Sequence, residues 1–490
     1  MVQRGARDAG GAGHSARDHA LAVLRVRDGA LAVALLPAAV AVVLFATGVG
    51  RAVRWPVAGL AVAVLAVAAV TGLVIARARP AVTPTVAVPE RAAPALHELI
   101  QDLAERLDVP TPAGIALTPD CDSWLEEPPR AGGARPAGPV LVIGSPFLWW
   151  LRVAELRALL APVVAGTGPS AHPDIAAARR CVRAWDATAG LAAGGSAARR
   201  PLLAFAGRVA RLLLRAAARH TADMERGVAL AAAGRAQGVE PALRTSAQEQ
   251  VGLAYAGWDR LLTRVASPAW RIGRWPRGLN AGVVAALTEL SRRDRLAEGF
   301  AARLGERPAC DLLDEPGVMD DEISLLAARL LRGVPGAPLP AGWSPVDWVA
   351  YPDEVVDRIW RDRAARLFAA LDAAETPTLA WALERLAAAA ATDHGVDALA
   401  ARLAAGAGRG ETRESLVEHV AAAVCCAAAD TSAAVPGLDW LDGPVLLAEG
   451  KRRQDVAAPV RSLVDDGDPG PLRDWLAGIG ARADKPVRLV

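Results

Sequence analysis

Two neighbouring stretches decide how this chain is organised: Gly29 to Gly50, GALAVALLPAAVAVVLFATGVG, and Trp55 to Ala76, WPVAGLAVAVLAVAAVTGLVIA. Each runs 22 residues without a charge. At about 1.5 Å per residue such a helix reaches about 33 Å, the thickness of a bilayer's hydrocarbon core. An open segment in that core must satisfy its own backbone polar groups, which a helix does. The pair therefore predicts a transmembrane helical hairpin over 29–79, with spans at about 29–50 and 55–76. Pro37 falls in the first span, where membrane helices tolerate a kink. A cleaved leader would carry a shorter apolar region, about 7–15 residues, ahead of a small-residue cleavage site. Here the region is longer, and a second span follows at once.

Arginine placement sets the expected orientation. Arg17, Arg25 and Arg27 precede the hairpin and Arg77, Arg79 and Arg91 follow it, while the turn holds only Arg51 and Arg54. Positive charge favours the cytoplasmic side. This predicts a cell-membrane protein with two spans, a cytoplasmic tail over 1–28 and a cytoplasmic body, with the lipid bilayer as its first partner.

The bulk numbers exclude some classes. Basic and acidic residues nearly cancel, 55 against 53, so net charge gives no sign of a nucleic-acid partner. Only Lys451 and Lys485 are lysines, a bias that accompanies the abundant Ala, Gly and Pro. The five cysteines (121, 181, 310, 425 and 426) are odd in number and show no C-x-x-C spacing. They read as reduced thiols packed as small hydrophobes.

Past the hairpin, the Pro-rich segment 80–94 reads as an extended linker. Leu96, Leu99, Ile100, Leu103 and Leu107 recur at helical spacing from Pro94. Short strands are expected at Gly114–Leu117 and Val140–Ile143, with a hairpin loop or tip at 128–138 between them. Helical patterns dominate downstream. The stretch LLAFAGRVARLLL carries Arg208 and Arg211, which excludes it as a third span. Helices are read at 353–371, 378–391, 413–430 and 471–479, with a small hairpin at 438–451. The Pro- and Gly-rich stretch at 334–345 marks the expected boundary between a domain at 95–333 and a helical C-terminal domain at 340–490. The fold class is mostly α with a small β-sheet (α+β).

No phosphate-binding loop, dinucleotide fingerprint or nucleophile elbow is present, and no two of the seven His lie at i, i+4. Three segments nevertheless follow one another in a recognisable order. They are ALHELIQDLAERLDVPTPAGIALTPDCDSW (95–124), PVLVIGSPFLWWLRVAELRALLAPVVAG (139–166) and RAAARHTADMERGVALAAAG (215–234). Together they resemble the HtpX and CAAX prenyl protease family of membrane zinc metallopeptidases, over about residues 95–245. The resemblance implies a zincin-like scaffold whose bacterial members keep the catalytic body on the cytoplasmic side.

In that family the helix continues as His-Glu-x-x-His, placing two zinc ligands on one face beside a general base. Here Glu155-Leu156-Arg157-Ala158-Leu159-Leu160-Ala161 is followed by Pro162, Val163, Val164, Ala165 and Gly166. The ligand positions are Pro162 and Gly166, and the general-base position is Val163. The family's third ligand, a Glu three residues before Ala-Asp, falls on Arg219. Asp223, which orients a ligand in the family, is retained and is expected to pair with Arg219. The Pro predicts that the helix ends near Ala161. No catalytic, cofactor or metal residue can be assigned; zinc is expected for the family, but its ligands are absent.

The resemblance thus implies a membrane-anchored pseudopeptidase that binds peptides or protein partners, with a groove beside Val140–Ile143 open to strand addition. Two alternatives stand beside it. One is an active membrane metalloendopeptidase with unrecognised catalytic groups, for which His172, Asp174 and His220 are the nearest candidate ligands. The other is a helical membrane scaffold acting through residues 340–490.

Overall fold

A computed structural model describes all but residues 1, 49, 51, 82, 128–137, 192–199, 239–240, 294–305, 333–338, 373–376, 393, 408–412, 454 and 490. The described chain is mostly helical with small sheets. It divides into two compact units, residues 1–252 with 306–316, and residues 253–305 with 317–490.

The first unit begins with helix α1, Val2–Thr47, which is far longer than the span expected within it. Its N-terminal part is folded against the body, with Ala16, Ala20 and Val23 fully buried. Helix α2, Arg54–Arg77, returns beside α1. Both helices are long and apolar enough to cross a membrane, and only 6% and 11% of the two apolar windows are buried within the chain. Leu31, Val33, Leu36, Val42 and Val62 face outward. A soluble core hairpin would bury such side chains; these need another apolar solvent.

A four-stranded sheet follows, made of β1 (Val86–Val88), β2 (Gly114–Thr118), β3 (Trp124–Glu126) and β4 (Val140–Gly144). The order is β1-β2-β4-β3. β2 and β4 run parallel, with Ile115 opposite Leu141, and β3 pairs antiparallel with β4, Trp124 opposite Val142. The linker contains the strand β1, which pairs with β2, and then turns through a short 3-10 helix at Glu90–Ala92. The loop expected at 128–138 lies, through residue 137, outside the described residues.

Helix α3, Pro94–Arg106, buries Leu96, Leu99, Ile100 and Leu103, the stripe its spacing predicts. Beyond β4 come α4 (Ser145–Trp150), α5 (Val153–Ala165), α6 (Thr167–Ser170), α7 (Pro173–Leu191) and α8 (Arg200–Ala236). The Glu155 side chain caps α5 by accepting from the Arg152 amide, and Ser246 Oγ donates to its other oxygen. Helix α5 does not stop at Ala161. Pro162 lies inside it, exposed, and the helix runs to Ala165. A proline costs one ladder bond, but it points to solvent here while Leu160, Ala161, Val164 and Ala165 are buried around it. Packing of that apolar face outweighs the local penalty. Residues 306–316 belong to this unit because Ala309 N donates to Leu151 O and Asp314 N to Ala92 O.

The second unit is built on helices Leu279–Arg293, Arg358–Ala370, Leu379–Ala390, Gly395–Ala407 and Arg413–Thr431. Its division from the first falls elsewhere than the stretch 334–345, of which 334–338 lie outside the described residues. The reason is packing across that stretch. Strand Arg274–Pro276 pairs with Ser344–Val346, and Tyr351 Oη donates to Val265 O at 2.7 Å. Arg293 also binds Asp439. The hairpin read at 438–451 is present as part of a three-stranded antiparallel sheet spanning Val435–Asp439, Gly443–Ala448 and Lys451–Arg453.

Candidate functional site

Helices α5 and α8 pack against each other within the first unit. They carry the positions singled out in the sequence. Pro162, Val163 and Gly166 sit on and just past the C-terminal turns of α5, and Arg219 and Asp223 lie midway along α8. The structure brings the last two together as an i, i+4 pair, with Arg219 Nε 3.9 Å from Asp223 Oδ2. Arg226 is the closer partner, with Nη1 2.5 Å from Asp223 Oδ1. The Arg219 side chain is 91% exposed. A side chain so exposed points away from the helix packed on α8, so the third ligand position does not face the first two.

Gly166 is buried instead against β3. A Cβ there would lie 3.0 Å from the Val163 carbonyl and 3.4 Å from Leu125 Cδ1. The gap between α6 and α8 is bridged from α7 by Arg179. It donates to Ser170 Oγ at 2.7 Å and to both carboxylate oxygens of Glu225 at 2.8 and 2.5 Å. Burial works against the charge of Arg179, but Glu225 outweighs it and holds the guanidinium above its ordinary value. Next to it, Arg183 pairs with Glu127 at the end of β3. Composition alone could not single out these four residues, because their pairing depends on how α7 crosses the other elements.

The metal implied by the resemblance does not fit this donor set. Pro162, Val163 and Gly166 offer no ligand atom, and Arg219 brings a permanent positive charge. The other candidate ligands separate. His172 Nδ1 lies 3.7 Å from Asp174 Oδ2, while the His220 ring sits 5.8 Å from that of His19. Among the described residues no three His, Cys, Asp or Glu side chains are placed to share a metal.

The groove expected beside Val140–Ile143 is not open either. β4 is hydrogen-bonded to β2 on one side and β3 on the other, and the Gly144 amide donates to Ser123 Oγ. Among the described residues the edge strands of this sheet are β1 and β3. No disulfide joins any of the five cysteines. Burial pushes the Cys425 thiol up to about 12, and burial with Asp120 does the same at Cys121.

In the second unit a cavity of about 400 Å³ is lined by Asp353, Asp357, Arg361 and Arg488. Both of its arginines are committed to neighbouring carboxylates, Arg488 to Asp430. Arg361 donates to Asp357 and Asp430 and to the Arg488 carbonyl. The cluster ties the chain's C-terminal segment to two helices.

Comparison with family models, with curated proteins and with solved structures found no match.

Proposed function

We propose that this chain is a membrane-anchored, non-catalytic relative of the HtpX-type zinc metallopeptidases, which binds peptides or partner proteins at the membrane without cutting them. The observation that carries this reading is the chemistry of Pro162, Val163, Gly166 and Arg219 at the positions of two zinc ligands, the general base and the third ligand. Three further features support it. The Glu155–Ala161 run and Ala222-Asp223 keep the family's order, on two helices that pack together. The outward solvation of Arg219 leaves no inward third ligand. Arg179 and Glu225 place an ion pair between α7 and α8.

The anchor is the hairpin of α1 and α2, with both termini and the body on the cytoplasmic side by the arginine asymmetry. Since β4 has no free edge, an extended peptide would add to the outer edge of β3, a strand that lies against Gly166.

The test uses the full chain in its membrane. It should resist alkaline extraction, and in detergent it should leave unstructured protein substrates and a mixed peptide library uncut, with or without added zinc. Chelator-sensitive cleavage that follows the protein through purification would overturn the non-catalytic reading. Release by alkaline washing would overturn the anchor.

A further inference from the structure

The turn of the membrane hairpin gathers three large side chains, one from α1 and two from α2. Helix α1 ends at Thr47 and α2 begins at Arg54. Gly48 and Gly50 take positive φ, 68° and 71°, and the Gly50 carbonyl accepts from the Val53 and Arg54 amides at 2.9 and 3.1 Å. So tight a return sets the last turns of α1 beside the first turn of α2. Phe45 and Trp55 meet there edge to face, with ring centroids 5.5 Å apart and planes at 86°. The Arg54 guanidinium folds back over the same Phe45 ring, its Cζ 5.4 Å from the centroid.

Two features of this cluster do not suit water. Trp55 is 66% exposed, Val53 54% and Phe45 42%. A turn that only reversed the chain in solvent would carry small polar residues. Trp, with an apolar body and one polar N–H, gathers instead at the level of lipid headgroups. The second feature is that Arg54 lacks an anion. From Gly29 to Pro89 the sequence holds no Asp or Glu, so neither span nor the turn supplies a carboxylate. The Arg54 Nε is enclosed and makes no hydrogen bond. The face of the Phe45 ring answers part of the charge, and the outer N–H groups of the guanidinium are left for a partner outside the chain.

We propose that this turn clamps the phosphate of a phospholipid in the leaflet away from the body. The Arg54 guanidinium, steadied against Phe45, donates through its Nη groups to the phosphate oxygens, and Trp55 lies beside the glycerol region. A planar guanidinium matches two phosphate oxygens at once, and stacking on a ring limits the orientations it takes. The two 22-residue apolar runs that meet here identify the occupant. At the end of helices of that length the nearest abundant anion is the phosphate of the lipid itself. The proposal rests on the membrane anchoring set out above. It also explains why an arginine stands on the side where positive charge is disfavoured.

The experiment takes the full chain in detergent, washes it free of loosely held lipid and supplies phosphatidylcholine, whose headgroup carries the phosphate without net charge. Native mass spectrometry then counts the lipids that stay bound to each chain. The wild type should keep one phosphatidylcholine whose occupancy falls several-fold in Arg54→Gln. Phe45→Leu, which removes the ring behind the guanidinium, should lower it in the same direction, and Arg91→Gln, outside the spans, should match the wild type. A glycosyl diacylglycerol, with the same acyl chains and no phosphate, should not be kept. Equal retention of phosphatidylcholine by wild type and Arg54→Gln would overturn the clamp, while the anchor stands if both chains still need detergent to leave the membrane. Equal retention of the glycolipid would show that acyl chains alone are held, and would equally overturn it. If the wild type leaves the membrane without detergent, the anchor itself fails.

Discussion

Arg179 holds Glu225 through two parallel bonds, Nε to Oε1 at 2.8 Å and Nη2 to Oε2 at 2.5 Å. The pair joins α7 to α8, and the third bond of Arg179, to Ser170, joins both to α6.

Removing that bridge should loosen the first unit. Arg179→Ala is expected to cost roughly 1–2 kcal/mol, at the low end for a charged hydrogen-bonded pair because Glu225 is 45% exposed and screened by water. Glu225→Gln should cost less. The coupling between them in a double-mutant cycle should be about 1 kcal/mol or below. Denaturant unfolding followed through tryptophan emission reads it, since Trp185 lies buried on α7. Full additivity of the two changes would show that the pair has no energetic role.

Introducing the residue types of the metallopeptidases that the sequence resembles should not create a metal site. The combined variant Pro162→His, Val163→Glu, Gly166→His and Arg219→Glu places its new acid on a side of α8 that faces solvent. It also pushes a side chain against Leu125 and the Val163 carbonyl. Isothermal titration with zinc should show no tight, stoichiometric binding. A single tight site would mean that the two helices already present a metal-binding geometry.

The second unit should lose stability in acid. Burial opposes the charge of the Asp439 carboxyl, but the amides of Asp442 and Leu441 and the guanidinium groups of Arg293 and Arg452 outweigh it and hold the group below the usual range. Asp430 is held low in the same sense, with burial opposing and Arg361 and Arg488 prevailing. The unfolded chain therefore binds more protons near pH 4. The stability these groups supply is complete above that ordinary carboxyl value and is lost as pH falls through their lowered values. Asp320 has the opposite sign. Burial raises it against the bonds it accepts from Asn280 and Ala281, so its contribution is lost as pH rises through its raised value. Asp439→Asn should cost roughly 2–4 kcal/mol near neutral pH, where a buried charge network is broken, and should flatten the acid limb of a stability-against-pH series. An unchanged acid limb would place the dependence on other groups.

Cys425 and Cys426 should ignore thiol reagents in the folded protein. Both are buried in helix Arg413–Thr431, and burial raises both thiols well above neutral pH. Labelling should wait for unfolding, and reducing agents should leave the melting temperature unchanged. Rapid labelling of either under native conditions would contradict the packing.

Much of this was legible in the sequence because the signal was local. The two uncharged runs announce α1 and α2, and the Leu96–Leu103 spacing announces α3. Non-local contacts decided the rest. The N-terminal part of α1 looks like a solvated tail because, among the described residues, its fully buried side chains are Ala16, Ala20 and Val23, small residues whose burial depends on α7 and α8. Pro162 reads as a helix end by propensity, yet tertiary packing carries the helix four residues on. β3 has three residues and depends for its existence on β4, fourteen or more positions away. At the site, the substituted positions could be counted along the chain, but the outward turn of Arg219 and the Arg179–Glu225 pair could not.

The most direct test is elemental analysis of the full chain, purified in detergent without chelators, loaded with zinc and then desalted. The account predicts zinc at the level of a buffer blank. A stoichiometry of about one zinc per chain, removable by a chelator and lowering stability when removed, would contradict it.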